Sequence, residues 1–188
     1  MTGKERGLFK TIWQFLWESD SIWSWVVDFI LAFVLIKFVF FPALGLIFAS
    51  PLPMVIVESN SMIHQGDFDE WWNSYGEWYA QNGITKEQFK EWSFENGMNK
   101  GDIIVVQGES SYEKGDIIIF NVAVQKTPII HRVVSTGDFY STKGDNNLDQ
   151  LSFEKTIQKN QVLGKAIGKI PYLGWIKLIV FSPFNAFS

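Results

Sequence analysis

The chain has 188 residues and a formal net charge of −4, so it lacks the basic surplus that nucleic-acid binding requires. It has no cysteine, which excludes disulfides, thiolate metal sites and cysteine nucleophiles, and two histidines are too few for a histidine-rich zinc centre. No metal or cofactor is expected, and the length suits one modest domain plus a membrane segment.

Residues 1–21 carry Lys4, Arg6 and Lys10 and read as a cytoplasmic or interfacial segment. Leu8 to Trp17 is apolar at helical spacing, as in segments that lie flat on a bilayer. Trp13, Trp17, Trp23 and Trp25 form an expected interfacial belt. The stretch 22–49 is the longest apolar run, beyond the roughly 20 residues a span needs. Asp28 and Lys37 interrupt it. Seventeen Val, Ile, Leu or Phe residues lie between Val26 and Phe48. At about −0.3 to −0.6 kcal/mol each, they outweigh a central Lys at about +2.5 to +3.5 kcal/mol. Pro42 and Gly45 are expected to kink or end the helix. A cleavable secretory leader has an apolar region of only about 7 to 15 residues, so a retained single-pass anchor is the expectation. No Lys or Arg occurs between Pro51 and Thr85. The positive-inside rule then puts the N-terminus in the cytoplasm and the rest outside the cell membrane.

The soluble part is expected over 50–172. Pro51 and Pro53 read as a linker, and Met54 to Val57 predicts a strand that leads into Ser59-Asn60-Ser61. Further strands are predicted at Ile103 to Val106, Ile117 to Val122, Ile129 to Val134, Phe139 to Thr142 and Val162 to Ile167, each bounded by Gly-Asp, Gly-Lys or Pro. Between about 67 and 98 the pattern turns helical. Asp67-Phe68-Asp69-Glu70 places acids in a first turn, Gly83 breaks the pattern, and Thr85-Lys86-Glu87-Gln88 forms a capping-box sequence. Gly97 ends the second helix. The aromatics of this hairpin are expected to pack; the functional alternative is a membrane-dipping or substrate-guiding element. The tail 173–188 is apolar but broken by Lys177, Pro183 and Asn185, which favours an interfacial segment over a second span.

A Ser, a His and an Asp arrive in that order in short distinctive segments: Ser61-Met62, then Ile130-His131-Arg132-Val133, then Gly144-Asp145-Asn146-Asn147. A serine hydroxyl becomes nucleophilic when a base takes its proton, and the base works best when a third group orients it. These segments, with Glu58-Ser59-Asn60-Ser61-Met62, Lys100-Gly101-Asp102 and Lys114-Gly115-Asp116, resemble in order those of type I signal peptidases. The His-Arg pair resembles the archaeal and endoplasmic-reticulum branch, where His stands in for a Lys base.

The resemblance implies a mainly β (α+β) catalytic domain with an N-terminal transmembrane helix and a small helical insertion. It implies a serine endopeptidase that removes signal peptides from preproteins after small residues at positions −1 and −3. Ser61 would attack, His131 would be the base, and Asp145 or Asp149 would orient it. The Ser61 amide would hold the oxyanion, together with the Ser59 hydroxyl or the backbone neighbouring Ser61. Partners implied are preprotein signal peptides, the lipid bilayer and protein-export machinery.

Several alternatives stay open. His64 stands where the family usually has Pro and is a rival base. Lys143 could serve in a Ser-Lys dyad if burial lowered its pKa. Asp138 reads as a turn residue. An extended substrate is expected to pair along Ile117 to Val122, which would also line shallow side-chain pockets. A self-cleaving Ser-Lys protease of related fold and a non-catalytic anchored β domain are the competing functions.

Overall fold

The computed structural model describes residues 21–179, together with Gly7, Lys10, Trp13 and Gln14. Most of the segment from Leu8 to Trp17, and residues 180–188 of the apolar tail, lie outside the described residues. The chain divides into two compact units, Met1–Ile47 and Phe48–Ser188.

The first unit contains α1, Ile22–Ile47, a 26-residue helix. Among the described residues it is the one helix long and apolar enough to cross a membrane, by length and composition. Ser21 caps it by accepting from the Trp23 amide. Pro42 does not end the helix. Instead the helix widens into a π turn over Ile36–Phe40, where the Phe41 amide reaches back to the Ile36 carbonyl. Pro42 has no N–H to continue the normal ladder, and the wide turn absorbs the mismatch one residue ahead of it. Lys37 sits in this turn, with its ammonium over the rings of Phe33 and Phe38 at 5.8 and 5.4 Å.

The second unit is a mainly antiparallel β half-barrel. Its strands are β1 (Met54–Ile56), β2 (Ile103–Gln107), β3 (Ile117–Phe120), β4 (Ile129–Ser135), β5 (Ser141–Lys143) and β6 (Val162–Ile170). They form one sheet in the order β1-β2-β6-β3-β4-β5, every neighbour antiparallel. Each predicted apolar run became a strand. Their order corrects one expectation. The run Ile117 to Val122 is not an edge: β3 lies between β6 and β4, and all four of its residues are buried. Its ladder groups are taken on both sides, so no substrate strand can be added there. The edges are β1 and β5.

Strand alternation splits β4 between two cores. Ile130 packs with Val57, Met62, Met98, Ile104, Ile117 and Ile119. Val133 packs on the opposite face with Tyr112, Ile118, Phe120, Tyr140 and Ile157, and Ile129 packs against that same cluster. His131 and Arg132, adjacent in sequence, therefore point to opposite faces of the sheet.

The helical insertion forms as its capping sequences direct. Helix α2 (Phe68–Gln81) starts at Asp67 with a reciprocal capping box to Glu70, and α3 (Lys86–Lys90) starts at Thr85 with one to Gln88. Gly83 turns between them at φ 72°, a conformation glycine adopts without strain. Phe68, Trp71, Tyr79, Ile84 and Phe89 form a third core with Val134 of β4. The insertion is thus packed against the sheet face that carries Arg132.

Candidate active site

The nucleophile candidate lies on the turn that follows β1. Val57 extends the strand pairing by exchanging backbone bonds with Asp102 and Gly101, and the chain then turns through Asn60 and Ser61. Met62 is buried in the core and its carbonyl accepts from the Met98 amide at 2.8 Å. Ser61 itself remains part-exposed. A fixed backbone behind an accessible hydroxyl is what a nucleophile needs.

His131 Nε2 lies 2.9 Å from Ser61 Oγ. The imidazole is buried, held in the middle of β4 opposite Ile118. Its other nitrogen, Nδ1, meets Glu154 Oε1 at 2.5 Å. That contact has ion-pair length, but its direction falls outside hydrogen-bond geometry. Glu154 is 0% exposed. It sits in a short 3-10 turn, Ser152–Glu154, and is fixed by two backbone donors: the Gly144 amide to Oε1 at 3.1 Å and the Leu151 amide to Oε2 at 2.6 Å. A buried carboxylate at Nδ1 sets the tautomer that leaves Nε2 free to accept the serine proton.

Asp145 is placed elsewhere. Its carboxylate accepts from Arg132 Nε at 3.0 and 3.2 Å and from Arg132 Nη2 at 2.8 Å. His64 Nε2 lies 3.0 Å from Oδ2, and the Tyr79 hydroxyl donates to Oδ1 at 2.8 Å. The expectation that Asp145 orients His131 is not met by this geometry. The reason is strand alternation: Asp145 joins the Arg132 face of β4, whereas the His131 ring faces Ser61 and Glu154. Asp149 is also away from the base. It is exposed and accepts from Trp78 Nε1 at 2.8 Å.

Burial pushes the Asp145 carboxyl up. The Arg132 guanidinium and the bond to His64 overcome that and hold it well below the usual carboxylate range. Burial, reinforced by the Asp145 charge, pushes the Tyr79 hydroxyl well above its ordinary value, so it remains a donor. Arg132 is fully buried and spends its remaining donors on the carbonyls of Ser93, Phe94 and Gly115, with its guanidinium 4.6 Å from the Phe89 ring centroid. The buried ion pair therefore ties the Gly144 to Asn147 loop to the helical insertion. His64 stacks on Trp71 at 3.6 Å and 6°, as part of that tie.

Lys143 is buried, and burial brings its amine down to about 8 against the pull of Asp145 and Glu154. Its Nζ, however, donates to the carbonyls of Gly144 and Asn147 at 3.1 and 2.6 Å and lies over the Tyr79 ring at 4.7 Å. It braces the loop and makes no contact with Ser61 among the described residues. Ser59 is exposed, and its Oγ lies 3.0 Å from Ser61 Oγ. Among the described residues no group of three or more His, Cys, Asp or Glu could hold a metal ion.

No family model matches the chain. Over 73 residues it is 36% identical to the signal peptidase complex catalytic subunit of Homo sapiens, and it is equally similar to those of Mus musculus and Canis lupus familiaris. The matched stretch is 33% of this chain and 38% of each relative, so the chain spans well under half the length of the curated relatives it matches.

Proposed function

We propose that this chain is a membrane-anchored serine endopeptidase that removes N-terminal signal peptides from preproteins. The observation that carries the reading is the Ser61 Oγ to His131 Nε2 approach of 2.9 Å with the buried Glu154 carboxylate at Nδ1. The partial similarity to signal peptidase catalytic subunits supports the substrate class.

In this reading Ser61 Oγ attacks the scissile carbonyl while its proton passes to His131 Nε2. Glu154 stabilises the resulting imidazolium. The tetrahedral oxygen is held by the Ser61 amide and by the Ser59 hydroxyl, each such donor contributing about 2.7 to 4 kcal/mol to the transition state. His131 then returns the proton to the leaving amine, and water, activated by the same base, releases the acyl group. Helix α1 anchors the enzyme with its N-terminus cytoplasmic, and substrates carry small residues at −1 and −3.

The test is cleavage of a signal-bearing preprotein by the detergent-purified chain, with Ser61→Ala as control. Release of the mature protein by the wild type alone is expected. Equal cleavage by Ser61→Ala would reject the reading.

A further inference from the structure

We infer that Asn146 is a positioning residue that aims the Ser61 amide at the reacting carbonyl oxygen. The inference rests on the hydrolytic reading above and deepens it. Asn146 holds both peptide units that flank the Ser61 α-carbon. Its backbone N–H donates to the Ser61 carbonyl at 2.7 Å, and its side-chain Nδ2 donates to the Asn60 carbonyl at 3.1 Å. The second bond is the informative one. The Asn60 carbonyl and the Ser61 N–H belong to a single planar trans peptide, in which C=O and N–H point in opposite directions. Fixing one end of that plane fixes the aim of the other.

Two further features favour this role over simple loop bracing. Among the described residues, the Ser61 N–H donates to no acceptor, so it is available to a ligand. Asn60 O can only accept, which fixes the amide orientation of Asn146 and leaves its Oδ1 buried without a partner. The Ile63 amide also reaches Asn60 O, at 3.2 Å. Removing the Asn146 amide should therefore loosen the peptide without releasing it.

The test compares Asn146→Ala, the isosteric Asn146→Asp and Asn146→Gln with the wild type. Each keeps the backbone bond to Ser61 O; Asn146→Asp also sets a charged acceptor against the Asn60 carbonyl, and it is read with the boronate titration if Asn146→Ala fails to fold. Both should lower kcat by roughly 10- to 100-fold, below the ~10²- to 10³-fold loss for removing an oxyanion donor outright. KM should change less than threefold, and Asn146→Gln should recover part of the rate. A second readout needs no turnover. A signal-peptide boronate binds when boron accepts the Ser61 oxygen and the Ser61 proton passes to His131, which leaves a tetrahedral B–O⁻ or B–OH in the oxyanion position. Its affinity should fall in parallel with kcat, while affinity for the matching uncleavable peptide amide holds. If the wild type neither cleaves nor binds boronate, the hydrolytic reading fails and this inference with it. If the wild type does both and the Asn146 variants equal it, or lose only KM, the positioning role alone is overturned.

Discussion

Replacing Glu154 with Gln separates the two carboxylates that could serve the base. The side chain is fully buried; it accepts from the Gly144 amide at 3.1 Å and the Leu151 amide at 2.6 Å, and its Oε1 lies 2.5 Å from His131 Nδ1. A glutamine has one acceptor oxygen, so one side must face an N–H with its own N–H. The shorter bond, to Leu151, is the costlier to lose, and the glutamine carbonyl should turn to it. Its amide nitrogen then faces His131 Nδ1 and forces the tautomer in which Nε2 carries the proton. That ring cannot accept from Ser61. A carboxylate-to-amide change of this kind lowers kcat by up to about 10⁴-fold. We expect a loss of roughly 10²- to 10⁴-fold in kcat, or about 3 to 5 kcal/mol at 1.36 kcal/mol per decade. KM should change little, and the donor-donor contact should cost roughly 1 to 3 kcal/mol of stability.

Asp145→Asn should behave in the opposite way. It leaves the buried Arg132 without its counter-charge, a defect worth about 3 to 5 kcal/mol of folding stability. Assayed well below its own unfolding midpoint, it should retain activity within about tenfold of the wild type. The measurement is kcat and KM for both variants alongside thermal unfolding. A larger kcat loss in Asp145→Asn than in Glu154→Gln at equal fractions folded would assign the orienting role to Asp145.

Acid should unfold the wild type through Asp145. Its folded pKa lies below the unfolded value of about 3.9, so the stability it contributes is present above that pH and is lost as pH falls toward the folded value. Stability measured from pH 6 down to pH 2 should therefore fall steeply below about pH 4, and Asp145→Asn should flatten that limb; parallel curves would contradict it. His64→Ala should keep at least a tenth of wild-type activity, because His64 bonds Asp145 and stacks on Trp71 rather than reaching Ser61. It should lower the unfolding free energy by about 1 to 3 kcal/mol, for the bond taken from the buried Asp145. A loss of activity as deep as that of His131→Ala would make it the base.

Much of the framework was legible because local signals agree with the fold. Five of the six strands were short apolar runs bounded by turn residues, and the insertion's helices were announced by first-turn acids after Asp67 and a capping-box sequence at Thr85. Ser61 and His131 were visible through their motifs, and the structure brings them together. Glu154 was not visible. It lies in a three-residue 3-10 turn, where no periodicity marks a buried side chain, and Ser152-Phe153-Glu154-Lys155 reads like any solvated loop. The available signal was an acidic residue three places after an apolar one, able to cap its own turn, as it does at the Leu151 amide. Asp145 was misplaced because sequence order cannot show which face of β4 a later loop will meet. The His-Arg dipeptide held the clue, since consecutive strand residues diverge. The sequence also could not order the strands. Interior pairing of β3 follows from the long-range return of β6, which no local pattern encodes.

Ser61 acting as nucleophile in a hydrolytic relay with His131 can be observed directly as a covalent intermediate. The most direct measurement is the mass of the intact chain after acid quench during turnover of a signal-bearing preprotein. The expected result is an adduct equal to the signal peptide acyl group, mapped by peptide fragmentation to Ser61 and absent in Ser61→Ala. Mature product accumulating from Ser61→Ala at the wild-type rate, or an adduct mapped to any other residue, would contradict it.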